Sequence, residues 1–99
     1  MAYFAVLREP GGQWDHSLPM RDQAAWDDHA DFMDGLAAEG FIVLGGPVGN
    51  GERRFLMVVD APTSDVVTYR LSTDPWVPMG LLRTVSVEPW QILLGGQRT

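Results

Sequence analysis

The chain has no cysteine and no lysine, and only two histidines, His16 and His29. Without cysteine there is no disulfide, no thiol nucleophile and no thiolate zinc site. Two histidines are too few for a dedicated transition-metal centre, so no metal site is expected. The basic residues are seven arginines (Arg8, Arg21, Arg53, Arg54, Arg70, Arg83 and Arg98), scattered through a chain of net charge −6. They make no basic stripe that could follow a phosphate backbone, which excludes a general nucleic-acid role. No apolar run is long enough to span a bilayer, and the opening "MAYFAVLREP" carries no signal-like leader, so a cytoplasmic location is expected. Low-complexity tracts and compositional breaks are absent too. Residues 1–99 are therefore expected to form a single domain with one modest core.

What is present reads as alternating strands and helices. "AYFAVLR" (2–8) is an apolar run stopped by "EPGG", hence a strand. A loop follows over 9–21. The next segment predicts a helix from Asp22 to Glu39, with acidic residues in its first turns and Gly40 as its stop. "FIVLGG" (41–46) and "RFLMVVDA" (54–61) are strands, joined through a turn-rich stretch in which "NG" at 50–51 marks a hairpin. A second helix, capped by Thr63 or Ser64, runs to Ser72. Pro75 and Pro78 keep "TDPWVPMG" (73–80) out of regular helix. The last strand spans Leu82 to Leu94, with Pro89 requiring a bulge or an edge position. The order is βαββαβ, the ferredoxin-like α+β arrangement: a four-stranded antiparallel sheet with two helices on one face.

The strands do not alternate apolar and polar residues as a sheet with one wet face should. Phe41 to Leu44 and Phe55 to Val59 are apolar throughout. Two helices cover one face only, and a second apolar face left in water would be an oversized patch. The expectation is a homodimer through that face.

Within the first helix, steps of three and four place Trp26, His29, Phe32, Met33 and Leu36 on one stripe. Asp27, Asp28, Asp31 and Asp34 fall mostly outside it. His29 therefore points inward, and an inward imidazole needs a hydrogen-bond partner. The topology brings the end of the second helix near the start of the first, which makes Asp74 a candidate. A carboxylate on one ring nitrogen fixes the tautomer and frees the other nitrogen to act as a base. "GGP" (45–47) and "PWVPMG" (75–80) would line the mouth of such a cleft, Trp76 as a flat apolar wall. Arg8 or backbone N–H groups would steady an anionic intermediate there.

Plainer readings stand beside these. A single histidine on an apolar helix side is more often a satisfied core residue than a catalyst. Asp74 before Pro75 suits a simple turn. "GGP" is also an ordinary strand exit. Trp26 and Trp90 read as core or interface. His16, next to Asp15 in the 9–21 loop, is expected to be exposed.

The opening strand with "LREPG", "HADFMDGLAAEGFIVLGGPVG" (29–49), "DPW" (74–76) and "VEPWQILLGG" (87–96) together resemble the YCII-related (YciI-like) family, small dimeric α/β-barrel proteins of ferredoxin-like fold. The resemblance covers nearly the whole chain. It implies a His–Asp pair at an active site, carried here onto His29 and Asp74, and it includes the Gly46-Pro47 turn. Arg8, Gly46, Pro47 and Trp76 are then the candidate substrate-binding residues. A relative removes chloride from a chlorinated hydroxyquinol, and the wider fold group includes muconolactone isomerases and cofactor-free monooxygenases. The implied function is a cofactor-independent lyase- or isomerase-like enzyme acting on a small aromatic or lactone substrate. The alternatives are a non-catalytic small-molecule-binding or regulatory dimer, and a structural module in which His29 is merely packed.

Overall fold

The first strand sets the two sides of the molecule. In the computed structural model, which describes residues 2–95, β1 (Ala2–Pro10) buries Phe4, Val6 and Arg8 and leaves the residues between them half-covered. β1 lies in the middle of a four-stranded antiparallel sheet, in the order β2-β3-β1-β4, with β2 (Ile42–Pro47), β3 (Phe55–Ala61) and β4 (Leu82–Pro89). Helices α1 (Trp26–Ala38) and α2 (Ser64–Ser72) connect β1 to β2 and β3 to β4. This is the ferredoxin-like βαββαβ fold expected from the element order.

The core follows from the inward residues of the sheet. Phe4, Val6, Met57 and Val59 pack against Leu36 of α1 and against Val67 and Leu71 of α2. A second cluster, Trp14, Phe55, Trp76, Leu81 and Leu82, gathers the loop after β1 against the segment before β4. The two segments approach closely. Gly11 donates to the Leu81 carbonyl at 2.9 Å, and a Cβ at Gly11 would overlap the Gly80 carbonyl oxygen.

Several bounds and one turn differ from the sequence expectation, and β1 runs on through Glu9 to Pro10 rather than stopping at Arg8. Helix α1 begins at Trp26, four residues after Asp22, behind a separate 3-10 turn at Met20–Asp22. Gln23 is extended and buried, with its side chain bonded to Asp15 and Leu18, and Ala25 is left-handed at φ 57°. Helix cannot pass through those two residues. The C-terminal stop is where it was expected: Gly40 at φ 84° donates to Ala37, and Phe41 donates to Leu36, a Schellman closure.

The connection between β2 and β3 is a hairpin but not a two-residue "NG" turn. Val48 donates to the Arg54 carbonyl at 2.9 Å, and Gly49, Gly51 and Glu52 all take positive φ inside the loop. Strand β4 stops at Pro89 rather than Leu94. It is an edge strand, which tolerates a proline without an N–H, and one further bond, from the Trp90 N–H to the Tyr3 carbonyl at 2.9 Å, follows Pro89. Helix α2 has the expected bounds, with the Thr63 hydroxyl accepting from the Val66 N–H at 3.3 Å.

The sheet face away from the helices carries Leu44, 68% exposed, and Leu56, 40% exposed, in this single chain. Among the described residues no helix is long and apolar enough to cross a membrane.

Candidate active site

Because α1 starts at Trp26 rather than Asp22, His29 sits in its first turn. Its backbone N–H donates to the Ala25 carbonyl at 3.1 Å, and its ring turns toward the sheet, 7% exposed. Asp74 lies two residues beyond α2, its N–H donating to the Leu71 carbonyl at 3.1 Å, and is wholly buried. The His29 Nδ1 lies 2.9 Å from Asp74 Oδ1 and 2.9 Å from Oδ2.

Two further donors complete the carboxylate. The Trp76 backbone N–H reaches Oδ1 at 2.9 Å, so the aspartate is a turn residue as well as a partner to histidine. The Arg8 Nη2 reaches Oδ2, also at 2.9 Å. Burial alone would raise the Asp74 pKa, but the hydrogen bonds from His29 and Trp76 and the nearby Arg8 charge outweigh it and hold the carboxyl below its ordinary value. Asp74 is therefore a carboxylate, and a carboxylate accepts: the shared proton belongs on His29 Nδ1. Nε2 then carries the ring's lone pair. It has no hydrogen bond from the described residues, and His29 is part of the lining of a cavity.

Arg8 is the unusual member. A guanidinium at an inward strand position, 1% exposed, is costly unless paired. Burial lowers its pKa, and Asp74 opposes that. Its Nη1 meets only the Met33 sulfur, at 3.9 Å, and its Nε has no partner among the described residues. A bulge in the β1–β4 pairing falls between Leu7 and Arg8.

The cavity above this cluster has a volume of about 360 Å³. Arg8 and His29 face it, and Asp34 lies at its edge. The rest of its wall is largely apolar: Met20, Trp26, Met33, Ile42, Phe55, Met57 and Leu82. Gly45, Gly46 and Pro47 at the end of β2 bound one side. That size suits a small molecule.

The fold thus brings His29, Asp74, Arg8, Gly46, Pro47 and Trp76 to one place. Trp76 lines the cavity but offers it little surface. It is 1% exposed, with one face covered by the His29 ring. The indole with more open surface at the cavity is Trp26, which the stripe contained but which reads from sequence as core or interface. Its position one turn before His29 was the available signal. His16 is exposed, away from the cavity lining. Among the described residues no cluster of histidine and carboxylate side chains is suited to a metal ion.

Comparison with known proteins adds one likeness. No known family matches the chain, and no curated protein does. Among solved structures it is similar to 5-chloro-2-hydroxyhydroquinone dehydrochlorinase (TftG) from Burkholderia phenoliruptrix AC1100, in complex with 2,5-dihydroxybenzoquinone. The identity is 23%, the match covers 90% of this chain and 93% of that one, and the TM-score is 0.59. The shared property is the fold.

Proposed function

We propose that this chain is a cofactor-independent, YciI-like lyase or isomerase in which His29 is the general base and Asp74 orients it. The observation that carries the reading is the buried His29–Asp74–Arg8 cluster beneath a small apolar cavity, with the second imidazole nitrogen unengaged. The named activity of the structural neighbour is in keeping with it.

The chemistry follows from charge. At rest, Arg8 and Asp74 cancel and the imidazole is the acceptor. A bound substrate with an acidic O–H or C–H gives its proton to Nε2. The O–H or C–H bond breaks, an N–H bond forms, and the electron pair stays on the substrate as a phenolate or enolate. The new imidazolium faces Asp74, and the new anion lies in a cavity lined by Arg8. Neither charge is stranded, which matters where the walls are apolar. In an isomerase the proton returns to another carbon. In an elimination the imidazolium first returns the proton to the chlorine-bearing ring carbon, giving a ketone with a tetrahedral C–Cl. His29 then takes a second hydroxyl proton, that O–H pair becomes a new C=O as chloride leaves, and His29 yields the proton to water. A flat ring with a weakly acidic hydroxyl suits Trp26 and the methionine-lined wall. Arg8, Gly46 and Pro47 bound the ligand.

The same reading includes one domain, a cytoplasmic location and a homodimer in which a second copy covers Leu44 and Leu56. Light scattering on the purified chain tests the dimer. For the activity, the test is turnover of chlorinated hydroxyquinols and small unsaturated lactones by wild type and His29→Ala. Loss of a general base lowers the rate by about 10²- to 10⁴-fold. Equal turnover by the two proteins would remove the reading, and a rise in melting temperature with no product from any compound would replace it with a binding protein.

A further inference from the structure

Asp74 fixes the His29 ring at one nitrogen, and a ring held at one atom can still swing about it, because terminal imidazole torsions are broad. The swing is stopped by a face. The Trp76 indole lies flush on the imidazole, with ring centroids 3.8 Å apart and planes within 5°. Trp26 leans on the same ring at 5.7 Å and 48°.

Trp76 is itself locked. Its ring stands edge-on to Trp14 at 5.5 Å and 85°, and its Nε1–H donates to the Ala24 carbonyl at 2.7 Å. Ala24 directly precedes the left-handed Ala25 from which α1 departs. The indole is thereby pinned to the origin of the helix that carries His29. Meanwhile its backbone N–H holds Asp74 Oδ1 at 2.9 Å. One residue touches both the base and the carboxylate that orients it.

We propose that Trp76 is the positioning residue of this site: its indole sets the plane of the His29 imidazole, its backbone sets the Asp74 carboxylate, and together they aim Nε2 at the cavity. The proposal rests on the reading of His29 as the base. In this role Trp76 acts through His29, whose imidazole covers one face of the indole. The stack also suits the imidazolium that follows proton transfer, since indole is the most favourable aromatic face for a cation. The charged groups around the ring are Asp74 and Arg8 beneath it and Asp34 at the cavity edge.

The test uses the full chain with ¹⁵N-labelled histidine and no substrate. Two-bond ¹H–¹⁵N spectra report which imidazole nitrogen carries the proton, and exposed His16 is the internal reference. Wild type is expected to show His29 as a single tautomer, protonated at Nδ1. Trp76→Leu should give a tautomer mixture like that of His16, and Trp76→Phe, which keeps a flat face, should restore the single form. A folded Trp76→Leu protein with the wild-type tautomer overturns the proposal, because Asp74 alone would then suffice. If Trp76→Leu does not fold, the wild-type protein still decides: the His29 ring protons must be shifted upfield relative to those of His16 and show Overhauser contacts to the Trp76 ring. Absence of either overturns the proposal. A His29→Ala protein with full turnover would remove the base reading and leave these spectra unchanged, so the two failures are separable.

Discussion

Asp74 follows His29 by 45 positions, yet both of its carboxylate oxygens lie 2.9 Å from the His29 Nδ1. Neither residue is exposed, and the Arg8 guanidinium closes the same carboxylate from the sheet side. The three side chains come from β1, from the first turn of α1 and from just past α2. Any change to one of them is felt by segments far apart in the chain.

Asp74→Asn keeps the shape and removes the charge. Arg8 is then a buried cation without a counter-charge. Breaking one side of a buried pair costs about 3–5 kcal/mol. Replacing both sides costs less than the sum, so Arg8→Met combined with Asp74→Asn should recover part of the loss. Urea unfolding of the two single variants and the double variant measures this. A loss below about 1 kcal/mol for Asp74→Asn is the range of an exposed pair and would mean that Arg8 and Asp74 are not coupled in the interior.

The acid limb of stability should carry the same signature. The Asp74 carboxyl is held below its ordinary value of 3.8. A depressed folded pKa gives stability that is fully present above the unfolded value and lost as pH falls through the folded one. Wild type should therefore be the more stable protein above about pH 5, and it and Asp74→Asn should converge as pH falls below about 4, through the folded value of Asp74. Asp15, bonded by Ser17, and Glu39, paired with Arg70, are also shifted down, so the wild-type curve alone mixes several groups. The difference curve between the two proteins removes Asp15 and Glu39 and leaves Asp74 with the two groups that share its carboxylate, His29 and Arg8. A difference that grows toward low pH would contradict the assignment.

Much of this architecture was legible because it depends on local pattern. Thr63 caps α2 where a capping residue was expected, and Gly40 ends α1 by the left-handed closure that glycine permits. The stripe through His29 and Leu36 gives the two buried residues of α1. The start of α1 was not legible. Alanine is the best helix former, and nothing in "DQAAW" announces that Ala25 turns left-handed while Gln23 ties down Asp15 and Leu18. The roles of the tryptophans were obscure for a related reason. A stripe says which residues share a side, and only the packing of Trp14 and Ala24 around Trp76 decides which indole is walled in. Arg8 was legible only as a cation able to steady an anion; its burial and its pairing with Asp74, 66 positions later, came from the fold.

Gly11 and Gly12 are neighbours in sequence with opposite tolerance. A Cβ at Gly11 would overlap the Gly80 carbonyl oxygen, and that atom is backbone with no rotamer to yield. A Cβ at Gly12 meets nothing within 4 Å. Gly11→Ala should lose about 1–3 kcal/mol, as other overpacked substitutions do. Gly12→Ala should fall within about 0.5 kcal/mol of wild type. Thermal unfolding of both checks the close approach of the loop after β1 to the segment before β4. Equal melting temperatures would mean that the two segments stand further apart.

Glu52 ties the loop before α1 to the far side of the cavity. It lies in the β2–β3 connection, and its Oε1 accepts from the Met20 N–H at 2.8 Å. Met20 begins the 3-10 turn and lines the cavity, so this bond holds one wall in place. Glu52 makes it from a left-handed backbone at φ 53°, which costs a non-glycine residue about 1–2 kcal/mol. Bond and strain can be separated by two substitutions. Glu52→Ala loses the bond and keeps the strain, whereas Glu52→Gly loses the bond and relieves it. Both should speed hydrogen exchange at the Met20 amide to a similar degree, by about tenfold for a bond worth about 1.4 kcal/mol. Glu52→Gly should be the more stable of the two by about 1 kcal/mol. Unchanged exchange at Met20 in Glu52→Ala would show that the wall holds without the latch, and the strain at Glu52 would then have no structural return.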